Sequence, residues 1–106
     1  MKNIKNIKKE AGQEIAFKNF VQHCLSLEKA EYLTLFFEVV LTQTEREEFP
    51  KRLAILQALL KGDQTQREIA EDLGVSIANI TRASNLIKAS DLDLKKLLGV
   101  EGSIEK

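Results

Sequence analysis

The run from Thr65 to Asn85 constrains this chain more than any other part of it. The hydroxyl of Thr65 is placed to accept from an early backbone N–H, and Glu68, three residues on, is placed to reach back to the cap's own N–H. This capping-box spacing predicts a helix start. Ile69 and Leu73, four apart, form an apolar stripe, and Ala70 offers a minimal side chain where a second helix crosses closely. Gly74 predicts the end of that helix, because glycine enters the left-handed region without a steric penalty. Ser76 then caps a second helix whose inward positions are Ile80 and either Ala83 or Ile87. Ile77, Ala78, Asn79, Thr81, Arg82 and Asn85 fall on its other faces. Two short helices about a glycine turn make a helix-turn-helix pattern, and small, polar and cationic side chains at the start of an exposed helix suit a DNA major groove. An ordinary helical hairpin has the same order of caps and turn, so the motif alone leaves a purely structural role open.

The remaining chain sets the context of that motif. At 106 residues, 43% hydrophobic and 30% charged, it is expected to form one globular domain with a modest core. The formal net charge is zero and the sequence pI is about 6.6, which argues against nonspecific coating of nucleic acid. The charge is uneven, however. From Ser76 to Ser90 the charged residues are Arg82 and Lys88, whereas Glu68, Glu71 and Asp72 sit on the preceding helix. A single cysteine, Cys24, cannot form an intrachain disulfide and fits a reducing compartment. No signal-peptide pattern precedes the domain, and the apolar stretch Leu33 to Leu41 is too short to span a bilayer and contains Glu38. A cytoplasmic protein without a membrane partner is expected.

Residues 1–11 read as a flexible basic arm, with Lys2, Lys5, Lys8 and Lys9 unopposed until Glu10. A solvated terminus explains such a segment as well as a contact with DNA phosphates does. Residues 12–99 read as an all-α domain of about six helices, with the helix-turn-helix at about 65–89, and residues 100–106 as a flexible tail. Phe17, Phe20, Val21, Cys24 and Leu25, or Leu27, recur at helical spacing from about Gln13. A second helix, roughly Lys29 to Val40, carries Tyr32, Leu33, Leu35, Phe36, Phe37, Val39 and Val40, so apolar side chains point in nearly every direction. Such a helix needs cover on more than one side, and a homodimer sharing an N-terminal core would supply it. Thr42 and Glu45 repeat the capping-box spacing and open a long third helix to Gly62, with a kink or restart expected at Pro50. A break at Ala89 to Asp91, capped by Ser90, precedes a last short helix marked by Leu92, Leu94, Leu97 and Leu98. No strand pattern occurs.

Three segments together resemble the bacterial Trp repressor family: Leu41 to Glu47, Thr65 to Glu68, and the run Ile77-Ala78-Asn79-Ile80-Thr81-Arg82-Ala83-Ser84-Asn85. The similarity covers about Phe17 to Leu98. It implies an intertwined all-helical homodimer that represses transcription, binding a palindromic operator when L-tryptophan fills a pocket beside each reading head. Ligand and DNA affinity would then be thermodynamically linked. Carried over by the resemblance, Arg52 and Arg82 sandwich the indole, and Arg52 and Thr42 hold the carboxylate. Backbone carbonyls near Val39 and Leu41 of the other subunit receive the ammonium, and Ala83 lies beside the ring. On the DNA side Gln66 and Arg67 match phosphate-contacting positions, while Ile77, Ala78, Asn79, Thr81 and Arg82 match the base-facing end of the second helix. The sequence departs from the family pattern at Ala83 (glycine), Leu86 (serine), Ala70 (lysine) and Asn79 (threonine). Apart from the corepressor no cofactor or metal is implied.

Other function classes remain as alternatives. A regulator of the same fold answering to a different ligand, or to none, fits the departures at Ala83 and Leu86. A helical protein-interaction module without DNA binding fits the neutral net charge. An enzyme is not expected: His23 is the only histidine, it falls within the apolar N-terminal helix, and no nucleophile, base and orienting group share a spacing.

Overall fold

The computed structural model describes residues 4–100, with side chains described from Lys9 onward. Among those residues the chain forms α1 (Ile4–Ser26), α2 (Ala30–Val40), α3 (Gln43–Lys61), α4 (Gln66–Leu73), α5 (Ile77–Ala89) and α6 (Leu94–Leu97), and no strand. The all-α class expected from the sequence is the one observed. Two compact units divide the chain, Met1–Thr42 and Gln43–Lys106.

In the first unit α1 is helical from Ile4, well before the apolar periodicity begins at Gln13. The backbone read as a flexible arm over residues 1–11 is therefore helical from Ile4. The segment from Ile4 to Ala11 contains neither glycine nor proline, so nothing in it breaks a helix that the apolar face downstream has nucleated. Residues 1–3 lie outside the described residues. The chain turns at Glu28, which takes a left-handed φ of 59°, and α2 follows from an extended Lys29. Phe20 of α1 meets both Phe36 and Phe37 of α2, with ring centroids 5.8 and 6.2 Å apart, and the His23 ring lies 4.9 Å from Phe36. No described side chain of this unit is fully buried. Phe17, Leu25, Leu35 and Val39 are more than half exposed, Val39 at 84%.

The second unit has a true core. Ile55 of α3, Ile69 of α4 and Ile80 and Ala83 of α5 are buried together, with Leu56, Ala58, Leu59, Ala70, Leu73 and Val75 packed around them. Ile69 and Ile80 are 0% exposed. The choice left open on α5 resolves toward Ala83, since Ile87 is only partly buried. Pro50 sits inside α3, which runs unbroken from Gln43 to Lys61, so the expected restart at Pro50 does not occur. One missing donor in a helix of this length is tolerated because α4, α5 and α6 all pack on α3.

The end of the unit differs from expectation. Ser90 closes α5 as its C-cap and its hydroxyl accepts from the Leu92 N–H, while the N-cap of α6 is Asp93, whose carboxylate accepts from the Lys96 N–H. Asp93 outcompetes Ser90 because it stands directly before the helical turn and brings a negative charge to its N-terminus. Gly99, at φ +71°, then reverses the chain: its N–H donates to the Lys96 carbonyl and the Val100 N–H donates to the Lys95 carbonyl. Val100, assigned from sequence to the tail, is thereby buried, and Gln57 Nε2 donates to the Leu98 carbonyl at 2.9 Å to hold the segment against α3. Residues 101–106 lie outside the described residues.

Candidate ligand and nucleic-acid site

The helix-turn-helix assembles as its residue types require. The Thr65 hydroxyl accepts from the Glu68 N–H at 3.1 Å, and the Glu68 carboxylate accepts from the Thr65 N–H at 2.8 Å, completing the capping box. Gly74 takes φ 66° and ψ 41°, and the Val75 N–H donates to the Ala70 carbonyl. Two residues later Ser76 caps α5 by accepting from the Asn79 N–H at 3.1 Å. The tight turn holds α4 against α5 and lets Ile69 and Ile80 meet over Ile55.

Burying that face of α5 commits the opposite one to solvent. Ile77, Ala78, Asn79, Thr81 and Arg82 are all exposed, with Ile77 at 50%. Gln66 and Arg67, the first two residues of α4, are exposed as well. Each residue assigned to DNA thus lies on the solvent side of one compact unit.

A cleft of about 560 Å³ opens between α3 and α5. Its α3 wall is Glu48, Lys51, Arg52, Ile55 and Leu56, and its α5 wall is Asn79, Arg82, Ala83 and Leu86, with Val75 contributed by the turn. Those positions follow the i, i+3, i+4, i+7 stripe of a helix on both walls. Arg52, Arg82 and Ala83, which the family resemblance assigned to one ligand, therefore line one cleft. Apolar side chains line it together with three cations, Lys51, Arg52 and Arg82, and one carboxylate, Glu48, a combination that can take an aromatic or apolar ligand carrying a carboxylate. The two arginines are held differently. Arg52 lies with its guanidinium 5.8 Å from the Phe49 ring centroid, whereas Arg82 Nη1 donates to Asn79 Oδ1 at 2.8 Å.

Val39, Leu41 and Thr42 lie in the first unit, at and just beyond the end of α2, and their assignment to the ligand rests on the family resemblance. Sequence reasoning did not pick out Glu48 and Lys51, nor Ile55, Leu56 and Val75 as cleft lining. The signal was present for the α3 residues: each is three, four, seven or eight positions from Glu48, so a stripe drawn through Arg52 would have found them. Among the described residues no three His, Cys, Asp or Glu side chains gather as a metal site would require, and no helix is long and apolar enough to cross a membrane.

Comparison with known proteins shows a family for this chain. The family model described as Trp repressor protein matches residues 15–101. A Trp operon repressor homolog of Chlamydia trachomatis serovar L2 is 43% identical over 89 residues, covering 84% of this chain and 95% of the relative. One from Chlamydia caviae is 43% identical over 89 residues, covering 84% and 88%. A homolog from Vibrio campbellii is 47% identical over 64 residues, covering 59% and 64%.

Proposed function

Because this chain belongs to the Trp repressor family, a family of regulators, we propose that it is a DNA-binding transcriptional repressor whose affinity for a palindromic operator is raised by L-tryptophan. The observation that carries this reading is the placement of Arg52 and Arg82 on the two walls of one cleft, directly behind the exposed face of α5. A guanidinium plane stacks favourably on an indole ring, and arginine pairs with a carboxylate through two parallel hydrogen bonds. Arg82 belongs to both surfaces. A ligand that fixes Arg82 from the cleft side also fixes a cation among the DNA-facing residues, so the two binding events share a coupling free energy.

The working form is a homodimer. Its support is the first unit, where aromatic and aliphatic side chains of α1 and α2 stay exposed although each helix is long enough to bury them. Two reading heads related by a two-fold axis fit a palindrome.

The test is direct because the chain contains no tryptophan. L-tryptophan is titrated with the protein and its indole fluorescence followed, then the titration is repeated with Arg52→Ala. Saturable binding lost in the variant supports the corepressor reading. An unchanged indole signal with the parent protein overturns it.

A further inference from the structure

Arg82 can serve a ligand and a duplex only if its long side chain is kept over the cleft. The bond from Arg82 Nη1 to Asn79 Oδ1 does this within one turn of α5. Among the described residues Asn79 provides the only acceptor that Arg82 uses, whereas Arg52 has no hydrogen bond and rests over Phe49. Asn79 stands in the capped first turn of α5, where its backbone N–H donates to the Ser76 hydroxyl, and three residues before Arg82, where helical side chains are neighbours. Its amide orientation is settled by chemistry, since a guanidinium donates only and the atom facing it must be the carbonyl oxygen.

We infer that Asn79 is the positioning residue for Arg82, holding its guanidinium at the cleft before any ligand arrives. The inference rests on the ligand reading above and adds a residue to it. A guanidinium has five N–H donors and two faces, and one donor spent on Asn79 leaves the faces and the other donors available. The rotamer freedom that Arg82 would lose on binding is lost on folding instead, so the ligand meets a preorganised wall. An alanine at position 79 would leave the cleft lined but Arg82 free to swing into solvent.

The experiment is a double-mutant cycle on the full-length protein with L-tryptophan as the probe, followed by indole fluorescence, for the parent, Asn79→Ala, Arg82→Ala and the pair. Asn79→Ala is expected to weaken binding by roughly three- to tenfold, the range for an ordinary net hydrogen bond, because the exposed pair is screened by solvent. In the Arg82→Ala background the same change is expected to have no effect. A full effect in that background, or none in the parent, overturns the inference. The second readout needs no ligand: nitrogen NMR of the Arg82 guanidinium in the free protein. Hindered rotation in the parent that becomes fast in Asn79→Ala supports the positioning role, and fast rotation in both overturns it. If the parent protein ignores L-tryptophan, that failure belongs to the ligand reading and the NMR result decides this one.

Discussion

Arg52 on α3 and Arg82 on α5 line opposite walls of the same cleft, thirty positions apart in sequence and brought together because Ile69 and Ile80 pack over Ile55. The cleft and the exposed face of α5 are thus products of one small core, and changes to that core should disturb both.

The core itself gives the first prediction. Ile80 is fully buried at the crossing of α5 on α3, so Ile80→Ala removes most of its side chain and leaves a cavity. A loss of about 2–5 kcal/mol is expected, and Ile80→Val should cost about 0.5–1.5 kcal/mol. Urea unfolding checks both values, and equal costs for the two would contradict the packing described.

The caps give the second. Thr65→Ala deletes one half of the capping box and should cost about 1 kcal/mol, while Thr65→Ser, which keeps the acceptor, should cost less. Gly74→Ala forces a side chain into φ 66°, a further loss of about 1–2 kcal/mol, although open space surrounds the position. Denaturant midpoints order these variants, and a neutral Gly74→Ala would show that the turn does not hold its left-handed form.

The helix-turn-helix was legible in the sequence almost to the residue. Thr65, Gly74 and Ser76 are local signals, each satisfied by neighbours a few residues away, and all three caps or turns stand where their residue types require. The same logic misplaced features that depend on competition or distant packing. Ser90 and Asp93 are both capable caps, and which of them begins the last helix depends on where the helical turn starts, which the local pattern does not say. Pro50 looked like a boundary because the support α3 receives from three neighbouring helices is not visible locally. The helical start at Ile4 was missed because a polar segment gives no periodicity to read. In the cleft, the arginines were legible through family resemblance, whereas the lining by Val75 follows from the fold of the turn.

The exposed first unit supplies a third prediction. If α1 and α2 are covered by a second chain, the protein sediments as a dimer and its midpoint of thermal unfolding rises with protein concentration. Val39→Asp, at a position 84% exposed in the single chain, should shift the protein toward monomer. A monomeric parent with a concentration-independent midpoint would contradict the dimer.

Ala83 offers a fourth. Its buried methyl lines the cleft beside Arg82, so Ala83→Gly enlarges the slot available to an aromatic ring. Helix stability should fall by about 1 kcal/mol from the glycine alone. Affinity for L-tryptophan should be retained or should rise a few-fold if the methyl limits the ring's approach, and calorimetric titration measures it. A large loss of affinity would show that the methyl packs on the ligand instead of crowding it.

If L-tryptophan and DNA bind this protein in a linked way, the affinity for an operator depends on the amino acid. Duplexes are selected from a random pool with the full-length protein and L-tryptophan, and the enriched sequence is then titrated by fluorescence anisotropy with and without the amino acid. A palindrome with half-sites about one helical turn apart is expected, bound at least roughly fivefold more tightly when L-tryptophan is present. A pool that yields no enriched palindrome, or a duplex bound equally with and without L-tryptophan, would contradict it.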